Sequence, residues 1–213
     1  MRKIIISAVI CITGSFLNIT FNKLSILIGF PLYLDTTLTI SVTLTCGVFW
    51  GTLCGVLTNL IGFTIFGHGW EGYLFVICNA ATAIITWLFM RFFSSELNLT
   101  RQISQKITKN ESVKYKTVFF KSSLLDMVMD RVVVLIILSF ALCFAISFLG
   151  GLITAVSGES RFTALFSATM FKGDTPVLIA EIVSRIPVNT IDRLISTFGG
   201  YAIALGLRRL KLP

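Results

Sequence analysis

Long runs of apolar residues dominate the chain, and polar residues collect between them. The first run covers 4–21. A second apolar region, 36–67, carries no charge over 32 residues. That is too long for one membrane crossing of about 20 residues and short for two. Its middle reads Cys46-Gly47-Val48-Phe49-Trp50-Gly51. Glycine permits the positive φ that ends a helix, so the spacing predicts two shortish helices over 36–49 and 51–67. Further runs cover 73–93, 132–155 and 186–207. None shows the alternating polar and apolar positions of barrel strands. Helical periodicity is weak, as in helices that are apolar all round. The pattern predicts an all-α integral membrane protein, with six transmembrane helices forming a single membrane domain over 1–213.

Composition agrees. Of 213 residues, 55% are hydrophobic and only 13% charged, about half the charge of an ordinary soluble domain. Mean hydropathy is +0.89. These values exclude a disordered chain, a collagen-like fibre and an ordinary soluble enzyme. The net charge of +8 is distributed unevenly. With six spans and a cytoplasmic N-terminus, thirteen Lys and Arg residues fall inside and three (Lys23, Arg161 and Lys172) outside. Arg185 and Arg193 sit at or within the start of the last span. That bias follows the positive-inside rule and puts both the N- and C-termini in the cytoplasm. It makes the basic balance a matter of topology, and no nucleic-acid partner is expected.

The first run has the basic start and apolar body of a signal peptide. No small-x-small cleavage site follows before Phe21-Asn22-Lys23, so the segment is expected to be retained. The one hydrophilic stretch, 94–130, is a basic cytoplasmic loop too short to fold as its own domain. Its end, 118–128, reads either as a surface-lying amphipathic helix or as a solvated linker. Five cysteines lie inside apolar runs with no CxxC pair. Neither a disulfide framework nor a zinc site is indicated, and no metal or cofactor is expected.

In a membrane protein the costly polar residues carry the information. Asp35, after Pro31-Leu32-Tyr33-Leu34, is either a cap for the next helix or a carboxylate at the mouth of a pocket. The outer turn Gly67-His68-Gly69-Trp70-Glu71-Gly72-Tyr73 places Trp70 and Tyr73 either in the interfacial belt or against a flat ligand ring. Within the spans, Asn59 and Asn79 either join neighbouring helices or line a site. Asn189, Asp192 and Arg193 share one helical face by spacing, and two charges so far into a span favour a site-lining role. Pro187 fits a first helical turn. Ser7, Cys11 and Ser15 recur every four residues and form a stripe of small side chains, with internal helix packing as its default role.

Two segments carry a family resemblance. Leu32-Tyr33-Leu34-Asp35-Thr36 and Gly47-Val48-Phe49-Trp50-Gly51-Thr52-Leu53-Cys54-Gly55-Val56-Leu57-Thr58-Asn59-Leu60-Ile61-Gly62 resemble the second and third helices of substrate-binding S components of energy-coupling-factor (ECF) type ABC importers. The closing Arg185-Ile186-Pro187-Val188-Asn189 and basic Arg208-Arg209 also fit. The resemblance implies six helices and capture of a vitamin-like micronutrient from outside under a lid formed by the first outer loop. It also implies partnership with a transmembrane coupling subunit and a pair of ABC-type ATPases, in the plasma membrane of a bacterium or archaeon. It implies substrate contacts at Tyr33, Asp35, Asn59, Trp70, Glu71, Tyr73, Asn79, Asn189 and Arg193. The family's alanine-x-x-x-alanine docking pattern has its counterpart here in Ser7, Cys11 and Ser15, small but not alanine.

A membrane enzyme is disfavoured: there is one histidine, no HExxH, no GxSxG and no carboxylate pair within a span. The alternative to transport is a ligand-binding membrane sensor or scaffold module.

Overall fold

The computed structural model describes residues 2–29, 32–66, 70–108, 116–157 and 177–210. Among them all regular structure is helical. Helix α1 spans Arg2–Leu27, α2 Thr37–Cys46 and α3 Val48–Phe66. A 3₁₀ turn, Trp70–Phe75, leads into α4, Val76–Thr108. Helix α5 spans Lys116–Ser157 and α6 Val177–Arg209. Four stretches are long and apolar enough to cross a membrane: Arg2–Leu27, Val48–Phe66, Gly72–Phe93 and Asp130–Ser157.

The break in the second apolar region falls at Gly47, three residues before the expected turn near Trp50. Gly47 has φ 96° and its N–H caps Thr43 O at 3.1 Å. Among the described residues of this apolar region, only there does the backbone enter the left-handed region that glycine adopts without strain. Helix α3 therefore starts at Val48, and Gly51, Gly55 and Asn59 fall on one helix. Gly51 meets α2 so closely that an added Cβ would lie 2.8 Å from Thr43 Cα. At Gly55 an added Cβ would lie 3.0 Å from the Asn79 carbonyl of α4. The stripe is a packing surface within the chain.

Helix α2 is the central element, packed against α1, α3, α4 and α6. Every residue from Thr37 to Thr43 is buried, although four of these seven are Thr or Ser. Short hydroxyl side chains let four helices approach, and they bond locally. Thr43 and Thr45 donate back to Thr39 O (2.7 Å) and Ser41 O (2.9 Å), as Ser and Thr do within helices.

The remaining burial pattern is reversed relative to a water-soluble bundle. Ser7, Ser15, Asn18, Thr82, Thr86 and Thr197 are inside, while Ile5, Val9, Phe16, Phe144, Phe148 and Ile191 are exposed. Small polar residues at helix contacts and large apolar residues outside are what lipid solvation selects.

Helix α2 has 10 residues, about 15 Å of rise and half of a hydrocarbon core of about 30 Å. The connection before it therefore descends among the longer helices to reach it. The α2–α3 turn marks one end of the bundle. Arg208 at the end of α6 donates to Leu44 O at 2.6 Å, and Cys11 in the first half of α1 reaches Trp50 O. The other end holds a cavity where α2 is missing.

Candidate functional site

Non-helical backbone at membrane depth must have its polar groups satisfied by protein or line a wet cavity. The α1–α2 connection meets this demand through side chains of distant helices. Asp192 of α6 accepts the N–H groups of Tyr33 (3.0 Å) and Leu34 (2.8 Å) through Oδ1. Leu34 sits at φ 47°, an unfavourable region for a branched residue, and Asp192 holds it there. Asn22 of α1 donates to Tyr33 O at 2.8 Å. One turn earlier, Asn18 accepts Leu38 N–H (2.9 Å) and donates to Thr39 and Thr58 hydroxyls (3.1 and 3.3 Å). Arg193 bonds Thr36 Oγ1 through Nη1 and pairs with Asp192 Oδ2 through Nη2 at 3.1 Å. Both members of that pair are buried, which is tolerable only because the charges meet each other and further donors and acceptors.

A second network crosses from α3 to the connection. Asn59 donates to Phe75 O at 2.8 Å. Asn79 donates to Asn59 Oδ1 (3.2 Å) and to Asp35 Oδ2 (3.1 Å). Asp35 does not cap α2: Thr36 occupies the cap position, without a side-chain cap bond. The second carboxylate oxygen of Asp35, Oδ1, is buried with no hydrogen-bond partner. On α6, Asn189 donates to Ser147 Oγ of α5 at 2.9 Å. Arg185 lies 4.0 Å from Glu181 and 5.7 Å from the Phe75 ring centre.

These groups surround a cavity of about 180 Å³. Asp35, Asn59, Asn79, Asn189 and Arg193 provide polar lining, and Tyr33 closes one side. Ile19, Ile26, Phe63, Phe66, Phe75 and Ile146 provide apolar walls. Lys23 also lines it, its Nζ 3.5 Å above the Phe66 ring. An apolar lining with a few placed polar groups is the usual composition of a small-molecule site.

Six of the nine substrate-contact residues anticipated from sequence thus line one cavity: Tyr33, Asp35, Asn59, Asn79, Asn189 and Arg193. Tyr73 is not among the lining residues; its hydroxyl bonds Thr64 at 3.1 Å and its ring packs edge-on against Phe63. Trp70 and Glu71 belong to the 3₁₀ turn, and their side chains lie outside the described residues, as do His68 and Pro31. The stripe Ser7, Cys11 and Ser15 does not face outward. All three are buried, with Ser15 Oγ donating to Cys54 O of α3 at 3.0 Å. The chain's own third helix covers the face that the resemblance assigned to a coupling subunit. Pro187 is not in a first turn either, because α6 starts ten residues earlier and carries it internally.

Sequence reasoning passed over Asn18 and Asn22, whose signal was available: each is an amide in or beside the first apolar run. It also passed over the aromatic walls, Phe63, Phe66 and Phe75, which a chain with 19 phenylalanines conceals. Among the described residues no three His, Cys, Asp or Glu side chains converge as a metal would require. Comparison with family models, with curated proteins and with solved structures finds no match to this chain.

Proposed function

We propose that the chain is the membrane-embedded substrate-binding subunit of an ECF-type ABC importer. On this reading it captures a small vitamin-like molecule from outside and delivers it inward with a coupling subunit and two ATPases. The observation that carries the reading is the cavity at the end of the bundle opposite the α2–α3 turn, lined by Tyr33 and Asp35 of the α1–α2 connection and by Asn59, Asn79, Asn189 and Arg193. A buried, mixed polar and apolar site suits retention of a small solute better than a continuous conduction path. On this reading α6, and α2 together with the connection before it, complete six crossings. The basic residues Arg2, Lys3, Arg91, Arg208 and Arg209 then lie on the cytoplasmic side of a bacterial or archaeal plasma membrane.

One observation favours the second reading, a ligand-binding sensor or scaffold module. The small stripe of α1 is closed by α3, so a coupling subunit would need another face. Mass spectrometry of protein purified in mild detergent, together with its co-purifying proteins, separates the two. Import predicts a stoichiometric small molecule and association with ABC-type ATPases when these are co-expressed. A bound small molecule without ATPase association selects the sensor reading. An empty protein without ATPases removes the import proposal.

A further inference from the structure

We propose that the occupant of this cavity is a flat nitrogen heterocycle of about one ring that presents an N–H donor to Asp35 Oδ1. The inference rests on the reading of the cavity as a ligand site and deepens it. Size sets the first limit. A cavity of about 150 Å³ holds a benzene molecule, so the 180 Å³ found here suits one ring with a small substituent. The walls set the second. Phe63, Phe66 and Phe75 offer flat apolar surfaces against which a ring packs.

Hydrogen-bond accounting sets the third limit. Asn79 holds the Asp35 carboxylate through Oδ2, and the same amide nitrogen bonds Asn59. Oδ1 of Asp35 is left buried with no donor from the protein. A buried acceptor without a donor is unfavourable, and an incoming N–H removes that cost. Asn189 uses its amide nitrogen on Ser147, which leaves its carbonyl oxygen as a further acceptor. Two of the three cations of the lining stand beside carboxylates: Arg193 pairs with Asp192, and Arg185 lies beside Glu181, while Lys23 sits over the Phe66 ring. Asp35 has no ion pair among the described residues. At Asp35 the unmet demand is for a donor.

The test uses the full chain in lipid nanodiscs at neutral pH and a matched set of probes: 2-aminopyrimidine, its methyl isostere 2-methylpyrimidine, which is likewise uncharged, and benzoate. Affinities are measured by calorimetry for the unchanged protein and for Asp35→Asn. A charge-assisted hydrogen bond predicts that 2-aminopyrimidine binds at least about tenfold more tightly than 2-methylpyrimidine. The preference should fall to within about twofold in Asp35→Asn, because the carboxylate charge is gone. Equal affinity for the two pyrimidines, preference for benzoate, no binding by any probe up to about 10 mM, or a preference that survives Asp35→Asn overturns the proposal. If Asp35→Asn does not fold, the comparison in the unchanged protein decides alone. Failure of this inference is distinguishable from failure of the import reading. ATP-driven uptake of a purely anionic compound overturns the ligand class and leaves import standing. Selective 2-aminopyrimidine binding by a chain that never associates with ATPases does the reverse.

Discussion

Asp192 ties the last helix to the α1–α2 connection. Its carboxylate accepts two backbone N–H groups of the α1–α2 connection and neutralises Arg193. Removing it strands two buried donors and an uncompensated guanidinium. Asp192→Ala is therefore expected to destabilise the protein by about 3 kcal/mol or more, measured as a lowered midpoint of thermal unfolding in detergent. An unchanged midpoint would show that the connection is held by Asn22 and Asn18 alone. Asp192 also explains why the residue alphabet was only partly readable. Its position on a face with Asn189 and Arg193 follows from spacing, but its partners Tyr33 and Leu34 are 159 and 158 residues away. Asp35 illustrates the same limit. Cap and pocket carboxylate were both consistent with its neighbours, and Asn79, 44 residues on, decides between them.

At the scale of elements, the short helix α2 shapes the site, and the close α2–α3 turn keeps it short. Substituting Gly51 by Ala forces a Cβ to within 2.8 Å of the Thr43 backbone, which cannot yield without separating the helices. A loss of about 1–3 kcal/mol is expected. Gly206 of α6 has no atom within 4 Å of an added Cβ. There Gly→Ala is expected to be neutral or to add about 0.5–1 kcal/mol by lowering backbone entropy. Thermal unfolding of the two variants side by side checks both. Similar effects at the two sites would mean that helix approach is not what Gly51 provides. The existence of these elements was readable because apolar runs and glycines mark them. Their ends were not: α1 extends to Leu27 and α6 begins at Val177, beyond the apolar runs, since intrahelical bonds continue through polar residues wherever packing or interface supports them.

For the whole molecule, Arg208 at the end of α6 lies against the end of α2, and the cavity lies towards the other end of the bundle. If the positive-inside rule governs insertion, both termini are cytoplasmic. A fluorescent protein fused after Pro213 should then fluoresce, while alkaline phosphatase at the same point should be silent; the reverse pair would invert the topology and place the cavity inside.

The sequence by itself determined the solvent, the helical class and which polar residues were worth attention. Each follows from a local cost: backbone groups in lipid must be paired within a helix, and charges there are expensive. Tertiary structure alone decided which of those residues meet. In a soluble helix an apolar stripe announces the inward face. These helices are apolar on nearly every side, so their rotation is set by small-residue contacts and buried hydrogen bonds between distant segments. That is why Ser7, Cys11 and Ser15 proved to face α3, why Tyr73 packs on Phe63 and Thr64, and why Asp35 stands in the cavity with one oxygen unanswered.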